Sequence, residues 1–185
     1  MNRYIILLRG VNVGGVSLKM EDFRAALAYI GFKDIKTYIQ SGNAVADSAD
    51  STLRKMESEI EFELAAKIGR KVAAIVSPLE EFSAIAAGHP LADRGPADRL
   101  YLTLLSQVPS RGDAENLLDT MNGVDEHAIE GRAVYSYYGD GYGSSRRDNT
   151  FIEKMLKVTA TTRNWNSVQA LAALAAGKAA AARID

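Results

Sequence analysis

Residues 4–8, Tyr4-Ile5-Ile6-Leu7-Leu8, form an apolar run with no polar break, the pattern of a strand covered on both faces. After a glycine-bearing loop, Met20, Phe23, Leu27 and Ile30 recur at helical spacing, with Ser17 placed to cap that helix and Gly31 to end it. Residues 35–39 and 44–46 read as strands, and Ser41-Gly42-Asn43 between them is a turn signal that predicts a hairpin. Leu53, Met56, Ile60, Leu64 and Ile68 mark a second amphipathic helix stopped at Gly69, and residues 72–76 read as one more strand. The order is βαββαβ, that of a ferredoxin-like unit.

The pattern then restarts. Pro78 opens a short helix through Leu79, Phe82 and Ile85, and residues 88–96, with Pro90, Gly95 and Pro96, read as a linker or mobile loop. Residues 100–105 predict a strand, Ala114 to Met121 a helix stopped by Gly123, and residues 124–129 and 133–138 two strands around a Glu130-Gly131 turn. Helices follow at 151–157 and 165–174, the second standing where a last strand would complete the repeat. The alanine-rich tail, residues 175–185, reads as a fraying helical end around Gly177. The expected fold class is α+β: tandem ferredoxin-like βαββα(β) units with antiparallel sheets, plus a C-terminal helix. The expected parts are a βαββαβ unit at 1–76, a connecting helix and loop at 77–98, and a βαββα unit with the C-terminal helix at 99–185. The halves share element order and no clear residue-level repeat, so their duplication is an inference from order alone.

Composition narrows the chemistry. The chain has 185 residues, 47% hydrophobic and 24% charged, enough to bury a core without disulfides or metals. With 22 Lys+Arg against 23 Asp+Glu the net charge is −1, which disfavours a dedicated nucleic-acid binder. Charge is nonetheless segregated: residues 47–63 carry a local net of −4 and residues 146–163 a local net of +3. Two solvated helix faces account for this; a basic patch for an anionic ligand is the alternative. Having no cysteine, the chain cannot form disulfides, thiolate metal sites, iron–sulfur clusters or a cysteine nucleophile. Two histidines, His89 and His127, make a poor metal signature, so no metal site is expected, and no particular cofactor is indicated. His89 lies in the Pro/Gly loop and is expected at the surface; His127, beside Glu126 on a strand, fits an edge position. No apolar run reaches membrane-spanning length and the N-terminus enters a strand directly, so a cytoplasmic protein without a membrane partner is expected.

Three loops carry candidate chemistry. In Arg9-Gly10-Val11-Asn12-Val13-Gly14-Gly15, glycines between a strand and a helix let backbone N–H groups approach a phosphate, although neither the dinucleotide fingerprint nor the P-loop ending is present. Residues 139–147 combine Gly141 and Gly143 with Ser144, Ser145, Arg146 and Arg147, ahead of a helix start where Asp148 is a cap and Thr150/Glu153 are spaced as a capping box. In Thr161-Thr162-Arg163-Asn164-Trp165-Asn166 a helix start capped by Thr or Asn would set Arg163 near a positive helix end, where a cation needs an anionic partner. Trp165 reads as a core anchor.

These loops, with Tyr38-Ile39-Gln40-Ser41-Gly42-Asn43, carry a family likeness. The chain resembles the bacterial domain-of-unknown-function 1697 family in residues 8–15, the hairpin at 37–43, the loop at 140–146 and the segment at 160–166. The resemblance implies a two-part α+β fold of ferredoxin-like character and names no reaction. Val16-Ser17-Leu18 stand where the family usually carries basic or amide residues, and Lys19 is the first cation after the double glycine. Where the family typically has Ser-Lys this chain has Ser145-Arg146, which keeps the charge but not a proton-transferring lysine.

The leading functional expectation is a protein that binds a small anionic ligand, including the case of an enzyme acting on a phosphorylated or nucleotide-like small molecule. The candidate binding groups are Arg9, Asn12, Ser41, Asn43, Ser144, Ser145, Arg146, Arg163 and Asn164, with arginines holding the anion and Ser/Asn side chains orienting it. Arg9, Ser145 and Arg163 are expected to face one cleft. A nucleic-acid-binding module is one alternative, with Tyr101, Tyr135 and Tyr137 as its stacking surface. A non-catalytic regulatory or assembly domain is the other.

Overall fold

The first unit runs β1 (Asn2–Leu8), α1 (Met20–Tyr29), β2 (Lys33–Thr37), β3 (Asn43–Ser48), α2 (Leu53–Ile68) and β4 (Ala74–Pro78). Its sheet is antiparallel in the order β2-β3-β1-β4, which puts the apolar run of β1 in the interior. The structure is a computed structural model that describes residues 1–121 and 123–177. Internal contacts divide the described chain into two units, Met1–Ala84 with residues 170–177, and Ile85–Gln169.

Alternation along β1 explains why the whole run is apolar. Tyr4, Ile6 and Leu8 pack with Phe23 and Leu27 of α1 and Met56, Ile60 and Leu64 of α2. Ile5 and Leu7 point the other way and are also fully buried. Helix α2 ends where the sequence predicts, with Gly69 in the left-handed region at φ 68°. Helix α1 departs from expectation: Lys19 occupies its N-cap position, no side chain caps it, and Ser17 lies too far upstream to do so.

After α3 (Leu79–Ala86), residues 88–99 contain two single-turn 3-10 stretches, Ala92–Arg94 and Ala97–Arg99. The second unit then runs β5 (Leu100–Leu105), α4 (Arg111–Leu118), β6 (Asp125–Glu130), β7 (Ala133–Tyr138), a 3-10 turn (Tyr142–Ser144), α5 (Asn149–Leu156) and β8 (Ala160–Asn164). Helix α6 (Trp165–Ala175) follows. The sheet order, β6-β7-β5-β8, matches the first unit strand for strand. Here the sequence reading is corrected in one respect: residues 160–164 are the missing last strand, while the helix begins at Trp165, where the sequence placed it. β-Branched Thr161 and Thr162 suit an extended backbone. Thr162 bonds Thr103 across the ladder at 2.8 Å, and Asn164 then caps α6, its Oδ1 accepting the Asn166 N–H at 3.0 Å. Among the described residues, six α-helices flank two four-stranded antiparallel sheets, an α+β fold, and no helix is long and apolar enough to cross a membrane. The alanine-rich tail beyond residue 177 lies outside the described residues.

The two units also share a device at the sheet edge that element order alone does not reveal. In the first, Glu57 and Glu61 of α2 accept the N–H groups of Val76 and Ala74 on edge strand β4, at 3.1 and 3.0 Å. In the second, Glu153 of α5 accepts the N–H of Ala160 on edge strand β8 at 2.9 Å. A carboxylate from the second helix thus occupies the open edge in each unit and blocks pairing with another chain. It also corrects two readings: part of the acidic run at 47–63 is structural, Glu57 being buried, and Glu153 does not close a capping box, since Asp148 alone caps α5 through the Phe151 N–H. Glu61→Ala removes the acceptor of the Ala74 N–H and is expected to cost about 1–2 kcal/mol, with Glu61→Gln losing less than half of that. Urea unfolding of both variants checks this; equal losses would show that the contact is not a hydrogen bond of consequence.

Candidate functional site

In the first unit, the glycine-rich loop and the hairpin turn are brought together, and the side chains proposed there as ligand groups fasten them to each other. Asn12 takes a left-handed backbone (φ 56°); its Oδ1 accepts the Leu18 N–H at 2.9 Å, and its amide donates to the carbonyls of Leu18 at 2.9 Å and Gln40 at 2.5 Å. Asn43 is fully buried and donates to Tyr38 O and to Ser41 Oγ at 2.8 Å. Arg9 is anchored through its N–H on Ala73 O. The Gly42 carbonyl accepts the Leu8 N–H at 2.8 Å, and a Cβ at Gly42 would stand 2.5 Å from Val11 Cγ2 and 2.8 Å from Leu8 Cβ. The signature residues of this half are accounted for by the close approach of two loops, which needs a glycine at the contact and amides to close the backbone.

In the second unit, the loop after β7 borders a half-open cleft of about 230 Å³ lined by Val124, Asp125, Asp140, Ser144, Ser145, Arg146 and Arg147. The sequence placed three of these in a binding role: Ser144, Ser145 and Arg146. Ser145 is committed internally: its hydroxyl donates to Asp125 Oδ2 at 2.7 Å and accepts the Arg147 N–H at 2.9 Å. Arg147 is committed as well, since its Nε and a terminal nitrogen donate to Thr120 O and its guanidinium lies 3.8 Å from Asp125. Ser144 and Arg146 differ. Both are exposed on the cavity, and among the described residues their side chains make no hydrogen bond or ion pair.

Beneath this loop lies a buried polar cluster that sequence reasoning missed. The register sets Asp125 opposite Tyr138 and His127 opposite Ser136, so these four side chains share one face of the sheet. His127 Nδ1 lies 2.9 Å from Ser136 Oγ, and Tyr138 donates its hydroxyl to Arg147 O at 2.8 Å. Nε2 of His127 is buried and has no hydrogen-bond partner among the described residues. Burial holds the imidazole down at about 4, with Arg147 adding to the effect and Asp125 opposing it. Burial also pushes the Tyr138 phenol up. The signal was in the sequence: polar residues at 125 and 127 and at 136 and 138 alternate on two strands of one hairpin, the spacing of a polar ladder.

Arg163 is not brought to this cavity. It pairs in register with Leu102, whose face also carries Tyr135, while the Asp125–Ser145 pair belongs to the opposite face. It stands at the end of β8, one residue before the Asn164 cap of α6, and so lies near that helix's positive end as the sequence suggests. Its guanidinium donates to Thr161 Oγ1 at 2.8 Å and Thr162 O at 2.9 Å, and burial pushes it down to about 10. Asn164 is used in the helix cap and donates to Asp98 O at 3.2 Å. His89 corrects the surface reading: it is 7% exposed, its ring edge-on to Tyr135 at 5.2 Å and Trp165 at 4.9 Å, with the Leu91 N–H on Nδ1. His127 is on an edge strand as expected, but its ring points inward.

The conserved bacterial protein SP0830 from Streptococcus pneumoniae has a solved structure similar to this one, with a TM-score of 0.72 and 20% identity over 95% of this chain and 99% of that one. At that identity the likeness speaks for the fold alone. No curated protein matches the chain. The family model described as protein of unknown function (DUF1697) matches residues 1–135, from β1 into β7, and stops short of the cavity loop. With most of its length matched, the chain belongs to the DUF1697 family.

Proposed function

We propose that the protein binds a small anionic ligand in the cavity of its second unit, with Arg146 supplying the charge and the Ser144 hydroxyl orienting the bound group. The observation that carries this reading is the difference between adjacent arginines: Arg147 is consumed by Thr120 O and Asp125, while Arg146 faces the cavity with no partner among the described residues. An exposed guanidinium beside a free hydroxyl is a ready donor set for phosphate or carboxylate. Ser145 and Asp125 serve it indirectly, by fixing the backbone between the two donors. The alternative of base stacking is weaker, because the three strand tyrosines do not share a surface. Tyr101 lies on the face opposite Tyr135 and Tyr137 and is stacked on Tyr142 at 4.9 Å, and Tyr135 is 3% exposed.

Titration calorimetry with inorganic phosphate tests the proposal. Arg146→Ala should weaken binding about tenfold or more while leaving thermal stability unchanged, since a charge-assisted hydrogen bond is lost from an exposed side chain. Phosphate binding that is absent, or indifferent to Arg146→Ala, would refute the assignment.

A further inference from the structure

The same cavity presents a second charge without a partner. Asp140 is exposed, lines the cavity, and among the described residues makes no hydrogen bond or ion pair. Asp140 and Arg146 therefore border one space of about 230 Å³ and do not close on each other. The backbone on each side explains why they are held apart. Asp140 sits in a turn closed by the Gly141 N–H on Tyr138 O at 3.0 Å, with Arg99 donating to Gly139 O at 3.1 Å; Gly141 has φ 90° and a Cβ there would meet the Arg99 guanidinium at 2.8 Å. Arg146 stands between Ser145, tied to Asp125, and Arg147, tied to Thr120 O. Both charges are thus offered from anchored stretches of chain.

The formal charges around the cavity cancel. Asp125 is answered by Ser145 and Arg147, which leaves one carboxylate, Asp140, and one guanidinium, Arg146, for a ligand. A plain dianion would gain from Arg146 and be repelled by Asp140. A molecule with an anionic group at one end and an ammonium at the other satisfies both. The volume, below the roughly 300–1,000 Å³ of drug-sized sites, suits a compound of few heavy atoms.

We infer that the cavity selects a small zwitterion, such as a phosphorylated amine, whose anionic group meets Arg146 and Ser144 and whose ammonium meets Asp140. This rests on the anion-site reading above. The test titrates the full chain with phosphoethanolamine and, as a matched compound without the ammonium, glycerol 3-phosphate, using the parent, Asp140→Asn and Arg146→Ala. Phosphoethanolamine is expected to bind the parent about three- to tenfold tighter than glycerol 3-phosphate. Asp140→Asn should erase that preference without weakening glycerol 3-phosphate, and Arg146→Ala should weaken both. Equal affinity of the two compounds for the parent, or a preference that survives Asp140→Asn, overturns the zwitterion inference while leaving the anion site standing. Failure of both compounds to bind in an Arg146-dependent way overturns the two readings together.

Discussion

Gly42→Ala should lower the free energy of unfolding by about 2–4 kcal/mol, and Gly10→Ala by only about 1 kcal/mol. Both glycines hold left-handed backbones, φ 73° and 68°. For any L-residue that conformation costs about 1–2 kcal/mol, partly offset by the lower entropy of the unfolded alanine chain. The surroundings differ. Nothing lies within 4 Å of a Cβ built at Gly10, whereas one built at Gly42 meets Val11 at 2.5 Å and Leu8 at 2.8 Å. Leu8 is fully buried at the end of β1 and cannot retreat without opening the first core. The added methyl must therefore push apart the glycine-rich loop and the hairpin turn. Urea unfolding of the two variants separates conformational strain from crowding. Equal losses would mean that the loops yield freely and that their contact does not hold this half together.

That contact shows what the sequence discloses and what it does not. The element order of the first unit follows from hydrophobic spacing, because β1 is buried on both faces and the helices bury one stripe each. The loop motifs were equally visible, but their role was not. Asn12, Ser41 and Asn43 read as ligand groups because amides and hydroxyls serve anion binding and loop closure alike; the distances to Leu18, Gln40 and Tyr38 show the loop-closing contacts. β8 was not read as a strand, but as the lead-in to the helix at Trp165, because Thr161-Thr162-Arg163 has no apolar alternation of its own. Its inward positions are filled by a threonine and an arginine, which periodicity scores as polar. The cavity loop is the reverse case. Its serines and Arg146 were legible as exposed polar groups, while the residues that fix it, Asp125 and Thr120, lie 20 and 27 residues upstream of their partners and meet it only because the β6–β7 hairpin folds back.

The buried polar face of that hairpin leads to the remaining prediction, on pH. His127 is 4% exposed and, held at about 4 by burial, is neutral in the folded protein near pH 7. In the unfolded chain the imidazole titrates near its ordinary value of about 6.5. As pH falls below 6.5 the unfolded state takes up a proton that the folded state does not, so stability declines with falling pH and stops declining from this source once pH drops below 4. The difference between the two values corresponds to about 3 kcal/mol lost across that window. His89, lowered in the same direction by its burial, adds a contribution of the same sign. The paired carboxylates act lower on the scale: Asp47, held below the ordinary range by Arg3, loses its contribution only as pH falls through the carboxylate region. Between pH 6.5 and 4 both histidines therefore lower stability in this way. His127→Asn keeps an amide near Ser136 and removes the titration. Its free energy of unfolding should fall by about 3 kcal/mol less than that of the parent between pH 7 and 4, whatever its value at neutral pH. Parallel curves for parent and variant would show that His127 accepts its proton in the folded state, and that the polar cluster under the cavity loop is open to water.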